Sequence, residues 1–208
     1  MTFVLLLSAY LIGSLSGSLL LGKLRGVDIR TLGSGNAGGT NALRTQGVWF
    51  ALGTVIMDIG KGALAAWLAW RWLPAGASPL WPYLCALAAV IGHVWPVFHR
   101  FRGGKGAATV VGALAVLWPA ALPLVLTVWL LSLMLSGYVG LSTVLAGLAL
   151  LTLAWLTEAS AARVVFAVCA ALLLVFTHRA NLARLRAGTE SRFEKVRVLG
   201  RLFQRHTG

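Results

Sequence analysis

The chain has 208 residues, 59% hydrophobic and only 11% charged, with a formal net charge of +13. Soluble domains carry roughly 25% charged residues, so this composition points to an integral membrane protein. It argues against a basic nucleic-acid binder, because the charges gather in three patches between long apolar runs and do not spread along polar faces.

The first apolar run, residues 3–22, ends at Lys23 and meets the length of about 20 residues that a membrane span requires. It has no basic leader and no clear cleavage site, so it is expected to stay as a first helix. A basic segment, 23–47, follows. Within it Gly33-Ser34-Gly35-Asn36-Ala37-Gly38 satisfies G-x-G-x-x-G, and Asp58 stands twenty residues after Gly38. The dinucleotide fingerprint needs a strand before it and a βαβ unit around it. Here a span and a basic linker come first and Asp58 falls inside the next apolar run, so no nucleotide is expected. The glycines still suit an anion. Gly lets successive N–H groups face one concavity, Ser34, Gly35, Asn36, Thr40 and Asn41 supply further donors, and Arg44 offers a fork for phosphate.

The second run, 48–70, carries Asp58 and Lys61, three apart and able to share a helix face. Charges inside a span are costly and are usually paired or functional. The pair reads either as a mutual ion pair facing the bundle or as support for the Gly-rich loop. The third run, 79–98, holds His93 near its end. Gly103-Gly104-Lys105-Gly106 then sets a lysine among three glycines before a helix, a second arrangement for an anion. It is not a Walker A, since positions 99 and 106 are His and Gly.

Residues 107–135 would form a helix of about 44 Å, too long for a roughly 30 Å hydrocarbon core and short of two spans. Pro119 and Pro123 are expected to break or kink it near the middle. Residues 138–157 and 162–178 complete the apolar set. The tail carries eight Lys or Arg after residue 178. A basic stretch touching anionic lipid explains its arginines, but not His178, Asn181 and Glu190. If the chain turns back near Pro119, all three basic segments fall on one side, as the positive-inside rule prefers. The expectation is an all-α integral membrane protein with about seven transmembrane helices. One pair, about 107–118 and 120–136, should be short or tilted. The N-terminus should lie outside and the C-terminus in the cytoplasm. Residues 23–47, 99–106, 136–142 and the basic tail 179–208 then face the cytoplasm, with the active site at that surface.

Cys85 and Cys169 sit in apolar runs without a C-x-x-C, so no zinc site or disulfide framework is indicated. His93, His99, His178 and His206 make no ligand spacing with the five acids, and neither metal nor cofactor is expected. No G-x-S-x-G or H-x-x-x-x-D is present.

The segments "GSGNAGGTNALR", "GHVWPVFHRFRGGKGAAT" and "HRANLARLRAGTE", with "MDIGKG" at 57–62, resemble in order and spacing the bacterial acyl-phosphate:glycerol-3-phosphate acyltransferases (PlsY-type). The resemblance runs from about residue 4 to 195. It implies one membrane-embedded acyltransferase domain over 1–208, in the bacterial inner membrane, transferring an acyl group from acyl phosphate to the sn-1 hydroxyl of glycerol 3-phosphate. The products are lysophosphatidic acid and phosphate, an early step of phospholipid synthesis. Glycerol 3-phosphate, acyl phosphate and membrane lipids are the implied partners. The family tends to have Ala at Gly39 and Lys at Arg102. It usually has Arg and Ser where Gly137 and Gly140 stand, and Ser142 or Thr143 is the available substitute.

Both substrates carry phosphate, and an acyl phosphate is activated enough for direct attack. Lys105 with Gly103, Gly104 and Gly106 is expected to hold one phosphate, and Ser34, Asn36, Thr40, Asn41 and Arg44 the other phosphate or the oxyanion. Asn181, His178 and Arg184 close the site from the tail. His93, His178 or a substrate phosphate takes the hydroxyl proton. Asp58, Lys61 and Glu190 are supports. The competing class, a transporter of phosphate esters, predicts binding residues near the midplane in two inverted halves; the motifs cluster at one surface and no halves repeat.

Overall fold

A computed structural model describes residues 1–201; the end of the basic tail, with His206, lies outside the described residues. Among the described residues the chain is helical throughout its regular structure, as expected. Among the described residues four helices are long and apolar enough to cross a membrane, or up to six if each of two bent pairs forms one span. The chain forms two compact units.

The first unit comprises residues 1–119 and 161–166. Its helices are α1 (Thr2–Gly13), α2 (Gly17–Leu24), α3 (Gly39–Gln46), α4 (Val48–Arg71), α5 (Trp81–Val94) and α6 (Ala107–Leu117). At about 1.5 Å per residue, the length of α4 is enough to cross the hydrocarbon core. It packs against the other five helices. The residues between them are small: Ala65, Ala66, Ala69, Ala86, Ala89 and Ala113 are buried. Lipid tails are as apolar as leucine, so helices in a bilayer associate through close approach of small residues. Gly62 and Gly112 carry this furthest. A Cβ on Gly62 would strike the backbone of Thr109 in α6, and one on Gly112 the backbone of Ile59 in α4. Many large apolar side chains point outward. Phe3, Leu7, Trp49, Ile56, Trp67 and Trp70 are exposed, while Thr54, Asp58 and Lys61 are buried.

Residues 3–22 were expected as one continuous span, and the structure corrects this. α1 and α2 meet at a 48° bend. The Ser14 hydroxyl donates to Tyr10 O at 2.9 Å, and Ser16 is extended. The bend frees backbone groups in an apolar setting, and the charged pair on α4 takes them up. Lys61 Nζ donates to Leu15 O at 2.9 Å, and Gly17 N donates to Asp58 Oδ1 at 3.2 Å.

The run 107–135 divides at Pro119, as expected. α6 ends at Leu117, Pro119–Ala121 make one 310 turn, and α7 follows from Leu122. The eleven residues of α6 reach only about 17 Å.

The second unit comprises residues 120–160 and the described residues from 167 onward. It contains α7 (Leu122–Ser136), α8 (Val139–Leu156), most of α9 (Ala161–Thr177) and α10 (Arg179–Arg186). α7 and α8 pack together, and only Gly137 and Tyr138 lie between them, so the loop expected over 136–142 is a tight turn. Gly137 has φ +77°, a conformation that Gly adopts without strain. A Cβ on Gly140 would come within 2.7 Å of Asn181 Cβ, so its absence lets α10 approach α8. Both departures from the resembled pattern therefore have a local structural reason. Arg192 crosses this turn: its Nε donates to Tyr138 Oη at 2.7 Å, and its guanidinium lies 4.8 Å from the ring centroid.

Candidate functional site

In the first unit the Gly-rich loop is shaped from beneath by Asn41. This side chain is 1% exposed. Its Oδ1 accepts from Ser34 N at 2.9 Å, and its Nδ2 donates to Ile29 O at 3.1 Å and Leu32 O at 3.0 Å. Both amide protons and an oxygen lone pair are thus spent on the backbone, which makes Asn41 a shaper of the loop. Ser18, which the sequence reading passed over, holds the other limb by donating to Ala37 O at 2.9 Å. Ser34, Gly35 and Arg44 are exposed, Asn36 and Thr40 half-buried. The loop leads into α3, whose first amides have no acceptor within the helix.

The second loop differs from the expectation that the amides of Gly103 and Gly104 face a phosphate. Gly103 N donates to Val94 O and Gly104 N to His93 O, each at 3.1 Å. The last carbonyls of α5 need donors, and these two glycines supply them. Lys105 follows them, half-buried, and Gly106 caps the start of α6 at φ +91°. His93 sits behind this loop. It is 3% exposed, its Nδ1 lies 3.4 Å from Asp58 Oδ1 without hydrogen-bond geometry, and a Cβ on Gly104 would collide with its Nε2 edge. The same Cβ would fall 3.0 Å from Ala37 O, so the two glycine loops abut.

Asp58 and Lys61 pair at 3.0 Å and are nearly buried. The ion-pair reading is thus correct, and the pair also joins α4 to the α1–α2 bend as described above. On the polar side, Arg30 grips Asp28 with Nη2–Oδ2 at 2.7 Å and Nε–Oδ1 at 2.9 Å. This hydrogen bonding holds the Asp28 carboxyl down at about 2 and raises the Arg30 pKa, so both stay charged near neutral pH.

In the second unit, Asn181 Nδ2 donates to Glu190 Oε1 at 2.6 Å and Arg184 Nε donates to Glu190 Oε2 at 2.7 Å. Glu190 therefore ties α10 to the chain that follows it. His178 stands at the 54° bend between α9 and α10. Its Nδ1 is 2.8 Å from Leu174 O. A carbonyl only accepts, so Nδ1 carries the proton and Nε2 the lone pair in the neutral ring. Ser142, expected as a substrate contact, is fully buried in α8 and donates to Tyr138 O at 2.9 Å. That leaves its hydroxyl committed to its own helix.

Residues 3–188 match the family model described as glycerol-3-phosphate acyltransferase. The chain is 42% identical over 184 residues to the glycerol-3-phosphate acyltransferase of Symbiobacterium thermophilum, covering 88% of this chain and 90% of that protein. It is 41% identical over 192 residues to the one from Geotalea daltonii, covering 92% and 97%. Its fold matches the crystal structure of PlsY (YgiH), an integral membrane glycerol 3-phosphate acyltransferase, in the glycerol 3-phosphate form. The TM-score is 0.88 at 32% identity, over 95% of this chain and 98% of that one. The lysophosphatidic acid form of the same protein matches with a TM-score of 0.86.

Proposed function

The chain belongs to the glycerol-3-phosphate acyltransferase family, and from that premise we propose that it draws its acyl group from acyl phosphate and places it on the sn-1 hydroxyl. It is a multi-pass membrane acyltransferase that uses glycerol 3-phosphate and makes lysophosphatidic acid. The observation that carries the donor assignment is the pairing of two abutting glycine loops, each leading into a helix and each with a basic residue at hand, Arg44 in α3 and Lys105 within the second loop. Two phosphate-bearing substrates need two such cradles. The hydroxyl oxygen attacks the acyl carbon, the bond from that carbon to the phosphate oxygen breaks, and phosphate leaves with the electron pair. Cationic groups and helix starts act by positioning the phosphates and stabilising the charge that develops.

Lys105 and the first turn of α6 hold one phosphate. Ser34, Asn36, Thr40 and Arg44 hold the second phosphate or the oxyanion, with Asn41 shaping the loop. The proton goes to His178 Nε2 or to a substrate phosphate, whose second pKa is near 6. His93 is enclosed by Asp58 and Gly104 and serves as backing for the lysine loop. In the second unit, Asn181 and Arg184 act on the substrates in the posture that Glu190 gives them. The test is purified protein with labelled glycerol 3-phosphate and either acyl phosphate or acyl-CoA. Lysophosphatidate should form only with acyl phosphate, with stoichiometric phosphate release; equal use of acyl-CoA would defeat the donor assignment. In the same assay, a His178→Ala enzyme with unaltered turnover and pH profile would leave the substrate phosphate as the proton acceptor.

Membrane placement follows from the basic segments. With α6 counted as the short member of seven apolar segments, residues 23–47, 99–106 and the tail all lie in the cytoplasm, and the enzyme works at the inner face of the bacterial inner membrane. A Thr189→Cys protein lacking Cys85 and Cys169 should react with an impermeant maleimide only after the inner membrane is opened. Labelling of intact spheroplasts would mean that α6 does not count as a crossing.

A further inference from the structure

The turn that feeds the lysine loop is strained. Arg100 and Phe101 both have φ +57°, in the left-handed region that side chains with a Cβ avoid. Two consecutive residues of this kind need something that over-determines them. Arg30 is placed to do so. Its Nη1 donates to His99 O at 2.9 Å and to Arg102 O at 3.2 Å, the two carbonyls that bracket the strained pair. The rest of its guanidinium is occupied by Asp28, and the Asp28 carboxylate also accepts from Arg30 N at 3.0 Å. Arg30 itself lies in the 310 turn Ile29–Thr31, whose Ile29 carbonyl accepts from Asn41. One side chain therefore ties the root of the first glycine loop to the root of the second.

We propose that the Asp28–Arg30 pair is a clamp that sets the spacing of the two substrate loops, with Arg30 a positioning residue for the transfer reaction. The planar guanidinium can hold a carboxylate on one edge and two carbonyls on the other; a lysine ammonium lacks that fork. Asp28 orients it. The inference rests on the proposed assignment of the two loops to the substrates' phosphates.

The sign of one substitution separates a clamp from a simple field. Asp28→Asn removes a negative charge near sites for phosphate, so electrostatics alone would lower the KM for glycerol 3-phosphate. Loss of the clamp displaces the loops and raises it, with kcat/KM falling by roughly tenfold or more. Arg30→Lys keeps the charge and should show the same loss. The double variant Asp28→Asn/Arg30→Lys should be no worse than the poorer single, because one device is broken once. Each enzyme is assayed below its own melting temperature. Global destabilisation removes active molecules and lowers kcat at constant KM, whereas misplaced loops raise KM. An Asp28→Asn enzyme with unchanged or lowered KM, an Arg30→Lys enzyme with normal kinetics, or additive losses would each overturn the clamp. Failure of the underlying loop assignment has a different signature: Lys105→Ala and Arg44→Ala would then leave KM and kcat intact.

Discussion

Lys105→Ala is expected to lower turnover by roughly 100-fold or more while the protein stays folded, by analogy with the loss of one preorganised oxyanion donor. The weight on this one side chain comes from where the neighbouring amides go. Gly103 and Gly104 already donate to Val94 and His93 carbonyls, so those two amides do not serve an anion. In the proposed assignment the ammonium and the start of α6 therefore carry the phosphate. Lys105→Met, which retains most of the side-chain volume, should be as impaired as Lys105→Ala, because the missing quantity is charge. Steady-state kcat with acyl phosphate checks this, and a near-normal value for either variant would remove Lys105 from the chemistry.

A comparable effect, on stability, is expected at Asp58. Asp58→Leu leaves the Lys61 ammonium buried beside Leu15 O with no counter-charge, and breaking such a pair costs about 3–5 kcal/mol. Native proteins have only about 5–15 kcal/mol in hand, so most of the folded population should be lost on modest warming. Lys61→Met should behave similarly, since it strands the carboxylate. The double variant Asp58→Leu/Lys61→Met removes both charges and should recover part of the loss. Full recovery is not expected. Leu15 O and Gly17 N–H would lose their partners at the α1–α2 bend, and an unpaired buried polar group costs about 1–3 kcal/mol. Thermal unfolding in detergent reads all three. A double variant no more stable than the singles, or singles like the parent, would show that the pair is not the anchor of that bend.

The parts of the molecule that were legible in the sequence are those set by local chemistry. Pro119 divides the 107–135 run where a missing N–H and a fixed φ must divide it. The two glycine loops lie where glycines crowd together, each ahead of a helix. The illegible parts depend on partners far along the chain. The break at residues 14–16 sits in an apolar run, and its compensation comes from Asp58 and Lys61 more than forty residues later. The available signal was the cluster Ser14-Leu15-Ser16-Gly17-Ser18, five residues rich in groups that compete for backbone hydrogen bonds. Arg30 read as one more cytoplasmic positive charge because its carbonyl partners lie 69 and 72 residues away. The glycines of the second loop misled for a physical reason as well: a glycine amide that can serve an anion can equally serve the end of a helix, and the carbonyls of α5 were nearer.

The seam between α4 and α6 bears on how the enzyme sits in lipid. A helix of about 17 Å is shorter than the hydrocarbon thickness, and a short apolar segment left to itself adjusts its depth and tilt to the membrane around it. Here Gly62 lies against the Thr109 backbone and Gly112 against that of Ile59, main chain upon main chain with no flexible side chain between. The depth of α6, and with it the height of Lys105 at its start, is thereby dictated by the long helix α4. The bilayer can thicken or thin around the enzyme with little leverage on the height of that lysine.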